Sequence, residues 1–163
     1  MKTIFLDIDG VLNCDATPNS RKFPYVVDEG LLARFRDLVK ATGAWVVLSS
    51  TWRVDPVGLL AAKYYNVPFH DVCADMPGAP RCEELVSWLR EHPEVSRYVV
   101  LDDDDDCLDE LPLFQPSSKT GLTPDIAKGI EDFLAGRSDK DMRANAITRL
   151  GQNIHALFGR DKS

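Results

Sequence analysis

Two short acidic stretches hold the residues that could do chemistry. The first, Ile4-Phe5-Leu6-Asp7-Ile8-Asp9-Gly10-Val11-Leu12, reads as an apolar strand that ends in two carboxylates and then turns on a glycine. A buried strand delivers its side chains to fixed places, and a glycine just after it lets the backbone bend sharply toward a ligand. The second follows another apolar run, where Tyr98-Val99-Val100-Leu101 leads into the aspartates Asp102 to Asp106. An Asp-x-Asp-Gly on its own reads equally well as a polar turn. Two strand ends that both terminate in carboxylates imply one shared site.

Such a site needs a counter-charge. Two like charges about 4 Å apart cost about 4 kcal/mol at an effective dielectric near 20, so clustered carboxylates call for protons or a cation. Mg²⁺ suits a few carboxylates completed by water and a substrate phosphate, whereas the wrapped loop that Ca²⁺ favours is missing from the sequence. The matching substrate is a phosphate ester, with the metal offsetting charge on the phosphoryl oxygens while a carboxylate attacks phosphorus in line. Asp7 is positioned for that attack, and Asp9 could protonate the leaving alcohol and later take a proton from water. Ser49 or Ser50, which follow the apolar run Ala44-Trp45-Val46-Val47-Leu48, offer hydroxyl and backbone donors to the phosphate. A cation such as Arg81 or Arg53 would complete its cage.

The elements needed to position these groups alternate along the chain. Asn13 to Pro24 reads as a loop, and the helical spacing of Leu31, Leu32, Phe35, Leu38 and Val39 predicts a helix that starts near Asp28 and stops at Gly43. After the strand at 44–48, Pro56 to Tyr65 is expected to be helical and Val67 to Met76 to hold a short strand. Arg81 to Glu91 forms an amphipathic helix on Leu85, Trp88 and Leu89, followed by the strand Tyr98 to Leu101. Leu111 to Gln115 is expected to form a last short strand, and Ser117 to Gly121 a loop. Thr123-Pro124 opens a helix that runs to about Ala135. The expected fold is α/β, a three-layer Rossmann-like parallel sheet with helices on both faces and its ligands beyond the carboxyl ends of the strands. Residues 1–136 form the catalytic domain. Residues 137–163, with Ile147, Leu150, Ile154 and Leu157 at helical spacing, form an amphipathic helix that packs on the domain or on a partner.

Composition narrows the function further. The chain has 163 residues, 44% of them hydrophobic, which is enough for one sizeable core. Asp7, Asp9 and the aspartate run account for a charge equal to the whole net −7, so the acidity belongs to the site and points to a bound cation. It also argues against broad electrostatic binding of nucleic acid. Neither a signal-peptide core nor a bilayer-spanning run is present, and a soluble cytoplasmic protein with no membrane partner is expected. Cys14, Cys73, Cys82 and Cys107 show no metal or disulfide spacing and read as spectators. The lone histidines His70, His92 and His155 take no role in the site. Trp45, Trp52 and Trp88 read as core or rim, although Trp52, close to Ser50, is placed where a base could stack.

In order and spacing, Asp7-Ile8-Asp9-Gly10-Val11-Leu12, Leu48-Ser49-Ser50 and Leu101-Asp102-Asp103 resemble the signature motifs of the haloacid dehalogenase (HAD) superfamily of phosphohydrolases. The resemblance implies a nucleophilic Asp7 that forms an aspartyl-phosphate, with Asp9 as general acid and base. It also implies Mg²⁺ held by Asp7, the backbone carbonyl of Asp9, and Asp102 with Asp103 or Asp106. The family's third motif is usually a lysine. Here Arg81 is the best-placed cation, ahead of Lys63 and Lys119, and its planar fork is adequate for phosphate. Asp104 and Asp105 are expected to be a solvated turn. The intervals from Asp7 to Ser49 and from Ser50 to Asp102 leave no room for a cap domain. Capless members of the superfamily act on bulky substrates, and this pattern looks like the small domains linked with nucleic-acid end repair. The implied substrate is a phosphorylated nucleotide or polynucleotide end, and Arg53 would grip a second phosphate or form a surface ion pair. The competing readings are a receiver-like phospho-acceptor and a cation-binding interaction module.

Overall fold

A computed structural model describes residues 1–137. Five parallel strands form one sheet: β1 (Lys2–Leu6), β2 (Trp45–Leu48), β3 (Asp71–Val72), β4 (Arg97–Leu101) and β5 (Leu113–Phe114), in the spatial order β3-β2-β1-β4-β5. The helices are α1 (Glu29–Thr42), α2 (Pro56–Tyr64), α3 (Arg81–Glu91) and α4 (Pro124–Ala135), with a single 3₁₀ turn over Thr51–Arg53. This is the expected Rossmann-like arrangement. Among the described residues, nothing larger than a loop intervenes between β1 and α1. The residues that carry the expected C-terminal helix, Ile147, Leu150, Ile154 and Leu157, lie outside the described residues.

The alternation of side chains along each strand divides the core in two. Ile4, Leu6, Val46, Leu48, Val99 and Leu101 face one side, where α1, α2 and α4 cover them through Phe35, Ala62 and Ile130. Phe5, Val47 and Val100 face the other side and meet Leu85 and Trp88 of α3. Phe5 lies edge-on to Trp88, with ring centroids 5.4 Å apart. Because the central strand is covered on both faces, its second half, Ile4 to Leu6, is continuously apolar.

Local chemistry sets where the helices begin. Asp28 caps α1 by accepting from the amides of Gly30 and Leu31 at 2.9 and 3.1 Å, and Gly43 ends it at φ 62°. Thr123 caps α4 ahead of Pro124. α3 starts after Pro80, which has no capping side chain. The Oδ2 of Asp106, from the acidic loop, takes over that task by accepting from the Arg81 amide at 3.1 Å. No helix among the described residues is long and apolar enough to cross a membrane.

Candidate active site

The sheet register brings the ends of three neighbouring strands to one place. Leu6 pairs with Leu48 on one side and with Leu101 on the other, so the residues that follow each of them meet at one edge. The Asp7 amide donates to the Leu101 carbonyl at 2.9 Å, which extends the ladder by one residue and fixes the nucleophile candidate on the backbone. The amides of Ser49 and Ser50 both donate to the Leu6 carbonyl, at 2.9 and 3.2 Å. Sequence reasoning offered these amides to a phosphate. The structure corrects that, because closing the end of the β1–β2 ladder already occupies them. The Ser50 hydroxyl is hydrogen-bonded to the Asp7 carboxylate, while the Ser49 hydroxyl is buried without a hydrogen-bond partner among the described residues.

After Asp7 the chain makes one tight turn, with the amides of Val11 and Leu12 donating to the Ile8 carbonyl. Gly10 sits in that turn at φ 69°. A Cβ on Gly10 would lie 2.0 Å from Oδ2 of Asp103. The glycine is needed twice over, for a backbone conformation that side chains disfavour and for the room that Asp103 takes.

Carboxylate oxygens of Asp7, Asp102 and Asp103 all lie within 4.8 Å of one another. Burial pushes Asp7 well above the ordinary carboxylate range, and the charges of Asp102 and Asp9 push it further, against Arg81 and the Ser50 hydrogen bond. Asp102 is raised to about 6, chiefly by burial, against a 3.0 Å hydrogen bond from the Asp104 amide and the charge of Arg81. Asp103 is also raised, first by burial. Three oxygen donors whose charged forms are disfavoured until a cation joins them are a donor set for a hard divalent ion such as Mg²⁺.

Asp9 stands apart. Although exposed, it has both carboxylate oxygens engaged, Oδ1 by Asn13 Nδ2 and Oδ2 by Trp52 Nε1, each at 2.8 Å. Asn13 also accepts from the Gly10 amide and donates to the Val26 carbonyl, which fixes the turn and the start of the following loop together. Trp52 is 1% exposed, so it presents no face for a base to stack on. Its task is to hold Asp9.

The two candidate arginines take different places. Arg81, on the first turn of α3, has a side chain that is 13% exposed and a charge that favours the ionised forms of Asp7 and Asp102. One of its terminal nitrogens is buried without a hydrogen-bond partner among the described residues, 3.9 Å from Glu84. Arg53 is neither a free phosphate grip nor a surface ion pair. Its side chain is 4% exposed, and it bonds the carbonyls of Ser49, Ser50 and Cys73 and pairs with buried Glu84 at 2.5 Å. With the Ala74 carbonyl accepting from the same guanidinium, all five of its donors are engaged, and the side chain ties the end of β2 to α3.

Within the acidic run, Asp103 joins the cluster while Asp106 caps α3. Asp104 and Asp105 lie in an exposed turn, and Lys63 and Lys119 are exposed. Sequence reasoning missed Asn13, Glu84 and the restraining role of Trp52. Of these only Asn13, four residues after Asp9 in a turn, carried a local signal.

A family model described as the HAD domain in Swiss Army Knife RNA repair proteins matches residues 3–127. No curated protein and no solved structure gives a significant match. The matched span runs from β1 into α4 and contains every residue of the site described above. The chain therefore belongs to the family of HAD domains found in Swiss Army Knife RNA repair proteins.

Proposed function

We propose that this domain is a Mg²⁺-dependent phosphomonoesterase that works through an aspartyl-phosphate on Asp7 and removes terminal phosphates from nucleic acid. Membership of the family supports the coarser part, a HAD-type, phosphatase-like domain of the kind present in RNA repair proteins. The observation that supports the finer part is the convergence of three mutually repelling carboxylates near Arg81, one of whose terminal nitrogens has no hydrogen-bond partner among the described residues.

Asp7, Asp102 and Asp103 would hold the Mg²⁺, which when bound offsets charge on the phosphoryl oxygens. Arg81 then binds the remaining phosphoryl oxygens through its uncommitted nitrogen. An Asp7 carboxylate oxygen attacks phosphorus as the bond to the leaving oxygen breaks, and Asp9 gives that oxygen a proton. In the second half, Asp9 takes a proton from water as the water oxygen attacks phosphorus and the bond between phosphorus and the Asp7 oxygen breaks. Inorganic phosphate leaves and Asp7 is restored. Asn13 and Trp52 keep Asp9 aligned for both transfers.

The test is phosphate release from an aryl phosphate and from oligonucleotides bearing a 5′ or a 3′ phosphate, with and without Mg²⁺. Metal-dependent release that Asp7→Asn abolishes is expected. Release unaffected by Asp7→Asn would remove the covalent mechanism.

A further inference from the structure

The acidic site stands beside a loop whose properties none of the chemistry above uses. The loop between Asn13 and Tyr25 begins on one partner of Asp9 and ends against the other. Asn13 donates to that carboxylate directly. Tyr25 lies edge-on to Trp52, the other donor, with centroids 5.0 Å apart, and its hydroxyl bonds Asp55 at the start of α2. Both stems of the loop are therefore fixed at the mouth of the site.

Its tip is fixed as well. The Asn19 side chain accepts from the Phe23 amide at 2.9 Å and donates to the Phe23 carbonyl at 2.8 Å, and the Lys22 amide donates to the Asn19 carbonyl at 3.0 Å. Lys22 is held at φ 52°, a left-handed conformation that a lysine adopts only when its surroundings impose it. The result of this bracket is that Arg21, Lys22 and Phe23 all point outward, and Phe23 is left 53% exposed. The loop is also tied to its neighbour over the strand ends, where the Asp15 amide donates to the Ser118 carbonyl at 2.9 Å. That neighbouring loop displays Lys119.

Most arginines of the described chain are committed elsewhere. Arg34, Arg36, Arg53 and Arg97 bond backbone carbonyls. The side chains of Arg21, Lys22 and Lys119 are neither hydrogen-bonded nor ion-paired to another described residue. Two tied loops, one with its stems at the acidic site, thus carry three exposed cations, two of them next to the exposed Phe23 in the chain and the third on the neighbouring loop.

We infer that Arg21, Lys22, Phe23 and Lys119 bind the nucleotides adjoining the scissile phosphate of a single-stranded nucleic-acid end. Phe23 is the face on which an unpaired base stacks, and the cations hold the phosphates on either side of it. A single strand fits because a lone exposed ring with flanking cations is a stacking platform, which a base already paired and stacked in a duplex cannot reach. The inference rests on the phosphatase reading for its orientation, since it requires the terminal phosphate to lie at Asp7. It also explains how a domain whose net charge is negative holds a polyanion, through a local basic rim.

The test uses the full chain with Phe23→Ala and with the combined Arg21→Ala, Lys22→Ala and Lys119→Ala variant, on an aryl phosphate and on a phosphorylated single-stranded oligonucleotide. Both variants should leave aryl phosphate turnover unchanged. Phe23→Ala should raise KM for the oligonucleotide about 5- to 100-fold, and the triple variant should flatten the salt dependence of binding by up to about two log units per log unit of salt. An oligonucleotide KM unchanged in both variants overturns the inference and leaves the phosphatase reading standing. If the parent releases phosphate from neither substrate, the phosphatase reading fails. The rim is then judged by fluorescence anisotropy of a labelled single strand without Mg²⁺. Weaker binding by both variants supports the rim, and equal binding, or a duplex bound as tightly as the single strand, overturns it.

Discussion

Asp7 and Asp9 lie two residues apart on one turn of chain, yet they sit in opposite environments. Asp7 is buried at a strand end among Asp102 and Asp103, and its charged form is disfavoured. Asp9 is exposed, and both its oxygens are matched by neutral N–H donors. One carboxylate is left in need of a cation and the other is already oriented. The same contrast recurs in the arginines that flank Glu84, since Arg53 is hydrogen-bonded to carbonyls and to Glu84, whereas Arg81 has a terminal nitrogen with no hydrogen-bond partner among the described residues and only a 3.9 Å ion pair to Glu84. In both pairs the neighbours, not the residue type, set what a side chain can do.

The sharpest way to test this contrast is to replace Asp9 while sparing the cluster. Asp9→Asn should slow turnover about 10²- to 10⁴-fold and leave Mg²⁺ affinity, measured by calorimetric titration, unchanged. Loss of cation binding in that variant would mean that the two carboxylates form one unit after all. Next in size is the arginine pair. Arg53→Met removes the 2.5 Å partner of buried Glu84, leaving it only the Met76 amide and Arg81 at 3.9 Å, and should lower unfolding free energy by about 3 kcal/mol in chemical denaturation, whereas Arg81→Met should show its effect in KM for the phosphate ester.

Metal and pH give an intermediate effect. Asp7 and Asp102 bind protons more tightly in the folded chain than in the unfolded one, so without a cation their contribution to stability grows as pH falls and is lost as pH rises, for Asp102 through about 6. A divalent ion competes with those protons. Mg²⁺ at about 100 times its dissociation constant should therefore raise the melting temperature on the order of 5–10 °C at pH 7.5 and by less at pH 5. An equal rise at both pH values would place the ion elsewhere. The smallest effect is expected from Trp52→Phe, which removes one donor from Asp9 and keeps most of the buried ring. It should lower kcat about tenfold with KM unchanged; a change confined to KM would mean that the indole does not act through Asp9.

The sequence showed what depends on periodicity and on strand ends. The order of strands and helices, the start of α1 at Asp28, and the meeting of Asp7, Ser50 and Asp102 all follow from apolar runs that terminate in polar residues. It could not show what depends on partners far along the chain. Trp52 reaches Asp9 across 43 positions and Arg53 reaches Glu84 across 31, and neither leaves a mark on local spacing. That is why Trp52 looked available to a base and Arg53 to a phosphate. Asp106 misled in the same way, because within an unbroken run of aspartates nothing distinguishes a ligand from a cap for a distant helix.

The parallel order β2-β1-β4 also bears on how the domain comes to be active. Leu6 must find both Leu48 and Leu101, so the three carboxylates meet only after the chain has closed a loop of more than ninety residues. Contacts of such high sequence separation form slowly, while the helices are local and form early. A newly made or partly unfolded copy can thus be rich in helix and still lack any site that could act on a phosphate. Assembly of the acidic site requires both central strand pairings, which makes the assembled site a stricter reporter of complete folding than helix content.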